Sequence, residues 1–266
     1  MGFWDKYSQA TRLHDSFVCV GLDSDISKLP ECLEMEQNPI LRFNEEIVRA
    51  TKNKAACYKL NLAFYLAAGR TGFDALERTL GFIPSYVPVI IDCKVGDIGN
   101  TMTAYAAAFL REMAFDAITV NPLMGEDVLK PLAEFDHAMK FVLTLTSNPS
   151  AEDFLLRNDL YLEIARWLHD KGHEQWGAVV GATNPLALRD VRKLMPKSVF
   201  LIPGVGAQGG DLAHVVHYAA ASHSDPRFLI NSSRGIIFRS RGEDFAEAAL
   251  QATEELRVAI NGNLDR

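Results

Sequence analysis

Two acids and a lysine fall within six residues at Asp92, Lys94 and Asp97, directly behind the apolar run Val87-Pro88-Val89-Ile90-Ile91. Such a run reads as a strand buried on both faces, so the charges begin where the strand ends. If the strand continues through Lys94, the two-residue period places Asp92 and Lys94 on one face as an ion pair near the interior. Desolvation of a buried pair costs several kcal/mol per ion and often cancels the attraction, which makes stability a poor motive and chemistry a better one. A lysine kept charged beside a carboxylate suits electrostatic stabilisation and proton donation. Other apolar runs deliver polar groups at their ends too: Asp23 in Gly21-Leu22-Asp23, Lys59 in Tyr58-Lys59-Leu60-Asn61, and Ser147 in Thr146-Ser147-Asn148-Pro149. Each has an ordinary role by itself, as turn cap, snorkelling cation or turn. Gathered in one mouth, they require a ligand to justify their desolvation.

The elements that must gather them alternate along the whole chain. Strands are expected at 17–22, 56–62, 87–91, 117–120, 141–145, 178–181, 199–202 and 228–231, and helices at 43–53, 72–82, 101–113, 126–135, 160–171, 186–194, 211–221 and 245–260. Eight strand–helix units in this length predict an α/β fold, a closed (β/α)8 (TIM) barrel, rather than an open doubly wound sheet of five to seven strands. With no linker or low-complexity tract, one domain over 1–266 is expected, residues 1–16 forming a helical extension over the barrel floor and 24–41 an unusually long first loop. In such barrels the chemistry sits at the C-terminal strand ends, where these charges fall.

Composition narrows the partners. An apolar share of 48% provides ample core, and a formal charge of −7 disfavours general affinity for nucleic acid or an anionic membrane. No apolar run approaches a spanning length, and the N-terminus lacks a signal peptide's apolar core, so a cytoplasmic location is expected. Cys19, Cys32, Cys57 and Cys93 form no C-x-x-C pair, and three lie in strand-like runs, the pattern of thiols in a reducing compartment. His169/His173 and His214/His217 have helical spacing but no H-E-x-x-H context, and no metal site is expected.

After the seventh strand, Gly204-Val205-Gly206-Ala207-Gln208-Gly209 matches G-x-G-x-x-G, and Asp225 lies near the offset of a ribose-binding acid. A dinucleotide fingerprint opens a βαβ unit that continues into a half-sheet; here one strand remains, which argues against NAD. The glycines suit a loop whose amides face a phosphate, with Asp211 capping the next helix. The eighth strand then brings Asn231-Ser232-Ser233-Arg234-Gly235, a guanidinium with further backbone donors. Phosphate held after strands seven and eight is a recurrent barrel arrangement.

Asp92-x-Lys94-x-x-Asp97-Ile98-x-x-Thr101 resembles the hallmark of the orotidine 5′-phosphate decarboxylase family. The likeness covers nearly the whole chain: Val20-Gly21-Leu22-Asp23, Lys59, Thr146-Ser147-Asn148-Pro149, Pro203 to Gln208 and Arg234 occur in family order. The Thr-Ser-Asn-Pro and Asn-Ser-Ser-Arg-Gly-Ile runs are similar to the longer bacterial subgroup, type 2. Two positions depart: Gly99, where many relatives have proline, loosens the helix start, and Ser233 stands where shorter relatives often have glycine. The resemblance implies a carboxy-lyase that converts orotidine 5′-phosphate to UMP and CO2 in pyrimidine synthesis without metal or cofactor. It implies a charged tetrad of Lys59, Asp92, Lys94 and Asp97, with Lys94 the proton donor. Asp97, Ile98 and Thr101 would reach into the neighbouring site of a homodimer. Asp23, Lys59, Asp97 and Thr101 would hold the ribose, Ser147 the pyrimidine edge, and Gln208 and Arg234 the phosphate, with Ile98, Pro203 and Ser233 completing the substrate contacts.

Two rivals differ in class. Mg2+-dependent sugar-phosphate decarboxylases and aldolases share D-x-K-x-x-D but place a carboxylate on strand two, where this chain has Lys59, which repels a cation. A noncatalytic nucleotide sensor on the same barrel would have no use for a proton donor beneath the ring.

Overall fold

The computed structural model describes residues 1–205 and 211–264. Eight parallel strands close into one barrel in chain order, β1 (Val18–Leu22), β2 (Cys57–Asn61), β3 (Val89–Val95), β4 (Ala117–Val120), β5 (Met139–Leu145), β6 (Trp176–Val180), β7 (Phe200–Pro203) and β8 (Phe228–Ser232), with β8 pairing back onto β1. Helices α1 (Phe3–His14), α2 (Pro39–Thr51), α3 (Leu62–Ala67), α4 (Gly69–Thr79), α5 (Gly99–Ala106), α6 (Glu126–Ala133), α7 (Leu160–Asp170), α8 (Pro185–Leu194), α9 (Leu212–Ala219), α10 (Arg234–Ile237) and α11 (Phe245–Leu264) fill the connections.

Strand alternation divides the core in two. Val18, Val20, Tyr58, Leu60, Ile91, Ile118, Val142, Phe200 and Ile230 point outward and pack under the helices. Cys19, Cys57, Ile90, Ala117, Phe141, Val179, Leu201 and Leu229 point inward and fill the lower barrel. Both faces are covered, and for that reason the strands read as continuous apolar runs.

Helix starts follow local chemistry. Asn38 and Asn184 each cap a helix that opens with proline, accepting the amides of Leu41 and Ala187 at 3.1 Å. Asp211 caps α9, accepting from Ala213 N–H at 2.9 Å. Several bounds differ from the sequence expectation. β3 runs on through Lys94 instead of stopping at 91, and the stretch 24–41 holds two short 3-10 turns and the first turn of α2. α3 and α10 are short helices that periodicity did not reveal. α5 begins at Gly99, two residues early, and Gly99 takes φ +55°, a conformation closed to proline with its φ near −65°.

α1 seals the floor. Phe3 and Tyr7 insert among the inward residues, with the Phe3 ring edge-on to Phe141 at 5.7 Å, while Lys6 pairs with Asp116 at 2.6 Å. Phe3 is 1% exposed, so Phe3→Ala empties an aromatic volume from the barrel base and is expected to cost about 3 kcal/mol in urea unfolding. A loss below about 1 kcal/mol would mean that the floor collapses around the gap or that the helix contributes little.

Candidate active site

The upper barrel holds a chain of ion pairs drawn from three adjacent strands. Lys59 Nζ, on the inner face of β2, donates to Asp23 Oδ1 at 3.1 Å and to Asp92 Oδ2 at 3.0 Å; Lys94 Nζ donates to Asp92 Oδ1 at 2.6 Å. Lys59 is 4% and Asp92 8% exposed, whereas the Lys94 side chain keeps 48% of its surface. Burial alone would lower the Lys59 pKa, but Asp23 and Asp92 override it and raise the value above the ordinary lysine range. Burial would likewise raise Asp92, yet Lys59 and Lys94 hold its carboxyl well below the usual range. Both groups are charged at neutral pH.

Room for the array comes from its neighbours. Gly21 is the register partner of Lys59 on β1, and a Cβ there would come within 2.0 Å of Ser233 Oγ and 3.1 Å of Asn231 Oδ1. The backbone of Asp23 is fixed from behind: Tyr65 OH donates to Leu22 O at 2.9 Å, and Ser24 Oγ to Asn44 Oδ1 at 2.6 Å, all four residues buried. On β3 the register with β4 shifts between Ile91 and Val95, and Lys94 takes φ +48°. Alternation put Asp92 and Lys94 on one face; the bulge and the left-handed backbone, which cost a non-glycine residue of order 1 kcal/mol, set where the ammonium sits.

A cavity of about 310 Å3 opens above these charges. Asp23, Lys59, Asp92, Lys94, Ser147, Pro203, Ser233 and Arg234, all singled out from sequence, line it. Leu143, Val179 and Leu201 supply an apolar wall opposite. Arg234 lies exposed at the rim. Asp97, Ile98 and Thr101 do not line this cavity. Asp97 Oδ1 accepts the Ile98 N–H at 2.8 Å, and Ile98 and Thr101 are exposed. Gln208 and the glycines Gly206 and Gly209 lie outside the described residues.

Among the polar lining residues, Thr119 escaped the sequence reading, and Asn231 entered it only as part of the run that carries Arg234. Thr119, 1% exposed on β4, donates to Asp92 Oδ1 at 2.9 Å. Asn231, 8% exposed on β8, has an Oδ1 with no hydrogen-bond partner among the described residues. Both are neutral, and only the inward parity of their strands could have marked them. The arrangement can bind a polar ligand, hold one ammonium rigidly paired beneath it and present a second against an apolar wall.

Comparison with known proteins agrees in extent and in kind. The profile of the Orotidine 5'-phosphate decarboxylase / HUMPS family matches residues 16–249. The orotidine 5'-phosphate decarboxylase of Dehalococcoides mccartyi is 41% identical over 270 residues, covering 98% of each chain, and that of Bacteroides fragilis is 42% identical over 254 residues, covering 91% of each. The solved OMP decarboxylase of Leishmania donovani superposes with a TM-score of 0.85 at 31% identity, covering 100% of both chains. On this match in sequence, in fold and over its full length, the chain belongs to the orotidine 5′-phosphate decarboxylase / HUMPS family.

Proposed function

We propose that the Asp23–Lys59–Asp92–Lys94 array carries out the decarboxylation of orotidine 5′-phosphate to UMP and CO2. The reaction itself follows from the family and from the name that its relatives carry over nearly the whole chain; the roles of the residues are our assignment. The observation that carries it is the Lys94 ammonium, paired with Asp92 on one side and open to the cavity on the other. Breaking the bond from C6 to the carboxylate leaves an electron pair in the plane of the pyrimidine ring, where the π-system cannot take it up. Fixed positive charge is the remaining means of stabilisation, and Lys94 supplies it, then passes an N–H proton to C6 and regains one from solvent. Asp92 aims the ammonium. Asp23 and Lys59 take ribose hydroxyls, Ser147 reads the pyrimidine edge, and Pro203, Ser233, Arg234 and Gln208 surround the phosphate. Binding energy from that remote phosphate organises the charged end.

A divalent cation has little to bind here, since the Lys59 ammonium lies between Asp23 and Asp92 and neutralises the carboxylates that would hold it. This favours the cofactor-independent branch over a metal-dependent sugar-phosphate enzyme. Asp97, Ile98 and Thr101 complete the partner's site in a homodimer. In support, they stand outside their own cavity, and Ile98, Tyr105, Leu123 and Met124 expose apolar surface on the successive β3 and β4 units. No helix among the described residues is long and apolar enough to cross a membrane, and we place the enzyme in the cytoplasm.

Turnover of orotidine 5′-phosphate, followed by absorbance, is expected to persist in EDTA. Lys94→Ala is expected to abolish it while UMP still binds; activity within about tenfold of wild type, roughly 1.4 kcal/mol, contradicts the proton-donor role.

Lys59→Met removes the charge that opposes the burial of Asp92. Its carboxyl then protonates more readily, so kcat/KM is expected to fall off on the acid side at least about one pH unit above wild type. Coincident profiles would mean that Lys94 alone holds Asp92 ionised.

Lys94→Ala and Asp97→Ala homodimers are each expected to be nearly inactive. Co-refolded, about half the dimers are mixed and each carries one intact site, so activity should recover to about one quarter of wild type. Verified heterodimers without recovery would place Asp97 in its own subunit's site.

A further inference from the structure

The bulge that carries Lys94 leaves its backbone without a ladder partner. Register between β3 and β4 is lost from Ile91 to Val95, and Lys94 sits at φ +48°, where a side-chain-bearing residue rests only if its surroundings over-determine it. The Lys94 N–H goes instead to a side chain, donating to Thr119 Oγ1 at 3.0 Å. An N–H can only donate, so this oxygen is the acceptor and its own proton is free for another bond. That proton goes to Asp92 Oδ1 at 2.9 Å, the same carboxylate oxygen that takes the Lys94 ammonium at 2.6 Å. A closed circuit results: Lys94 backbone to Thr119 hydroxyl, hydroxyl to Asp92, Asp92 to Lys94 ammonium. Thr119 is buried, and its hydroxyl ties both ends of the same lysine.

We infer that Thr119 is a positioning residue for Lys94: its hydroxyl pins the left-handed backbone of the lysine and the carboxylate oxygen that aims the ammonium. The inference rests on the role proposed for Lys94 above. Thr119 touches no reacting atom, so its effect belongs in the rate of the bound complex rather than in binding. Valine has the shape of threonine without the hydroxyl; it leaves the Lys94 N–H without its acceptor and Asp92 Oδ1 with one donor fewer. Serine keeps the hydroxyl.

Wild type, Thr119→Val and Thr119→Ser are compared by turnover of orotidine 5′-phosphate, by affinity for UMP and by hydrogen exchange at the Lys94 amide. Thr119→Val is expected to lower kcat by about ten- to a hundredfold, with KM and UMP affinity within about threefold, and to speed Lys94 amide exchange by about tenfold or more. Thr119→Ser is expected to recover most of both losses. A folded Thr119→Val protein with kcat within about twofold of wild type overturns the proposal, as does serine as impaired as valine. Should valine prevent folding, Thr119→Ala carries the same comparison. If the wild-type protein does not turn over orotidine 5′-phosphate, the decarboxylase reading fails by itself. Exchange then decides the clamp alone, and unchanged protection of the Lys94 amide in Thr119→Val overturns it.

Discussion

A lysine shared between two carboxylates in the barrel interior constrains everything around it. Lys59 is almost wholly enclosed, and a buried charge without partners is far costlier than a missing apolar contact. Asp23 from β1 and Asp92 from β3 therefore have to converge on β2, and Lys94 completes a set of two acids and two bases. Three strand ends are thereby held at one height. Gly21 gives up its side chain beside Lys59, and the buried Ser24–Asn44 and Tyr65–Leu22 bonds fix the segment on either side of Asp23. Neutral as a group, the array leaves one ammonium, that of Lys94, half in the cavity. The ammonium that faces the cavity is the one least enclosed.

The barrel separates these demands by depth. Below the charges, inward residues such as Phe141, Ile90 and Leu229 pack with α1 into a closed apolar plug. Above them, the strands end in polar groups that the interior could not tolerate without a ligand. Rigid packing underneath lets a polar site be held on strand termini to within tenths of an ångström, with loops free to vary around it.

Most of this was legible in the residues because burial on both faces leaves a simple signature. All eight strands were marked by apolar runs, and the charged residues that line the cavity stood out at their ends. What stayed hidden has physical reasons. An apolar run marks β3 only as far as 91; its continuation carries Asp92 and Lys94, whose charges are tolerated there because they pair. The bulge at Lys94 leaves no trace in composition, since lysine seldom adopts a positive φ. Thr119 and Asn231 carry no charge, so only strand parity could have shown that they face inward. Gly99 looked like a loosened helix start; its φ of +55° instead sets the backbone that leads from the charged strand into α5. The short α3 and α10 span too few residues for periodicity to register.

Closure of the barrel along β1 and β8 bears on the order in which the protein can be made. Cys19 pairs with Asn231, and Gly21 has the Ser233 side chain pressed against it, so the first and last strands together form one wall of the cavity. A ribosome emits β1 some two hundred residues before β8, and until the last strand docks, Asp23 and Arg234 have no common space between them. The growing chain can form strand–helix units early, but not this cavity. The cavity is thus withheld until β8 and Arg234 have been made, and a product truncated before β8 lacks one of its walls.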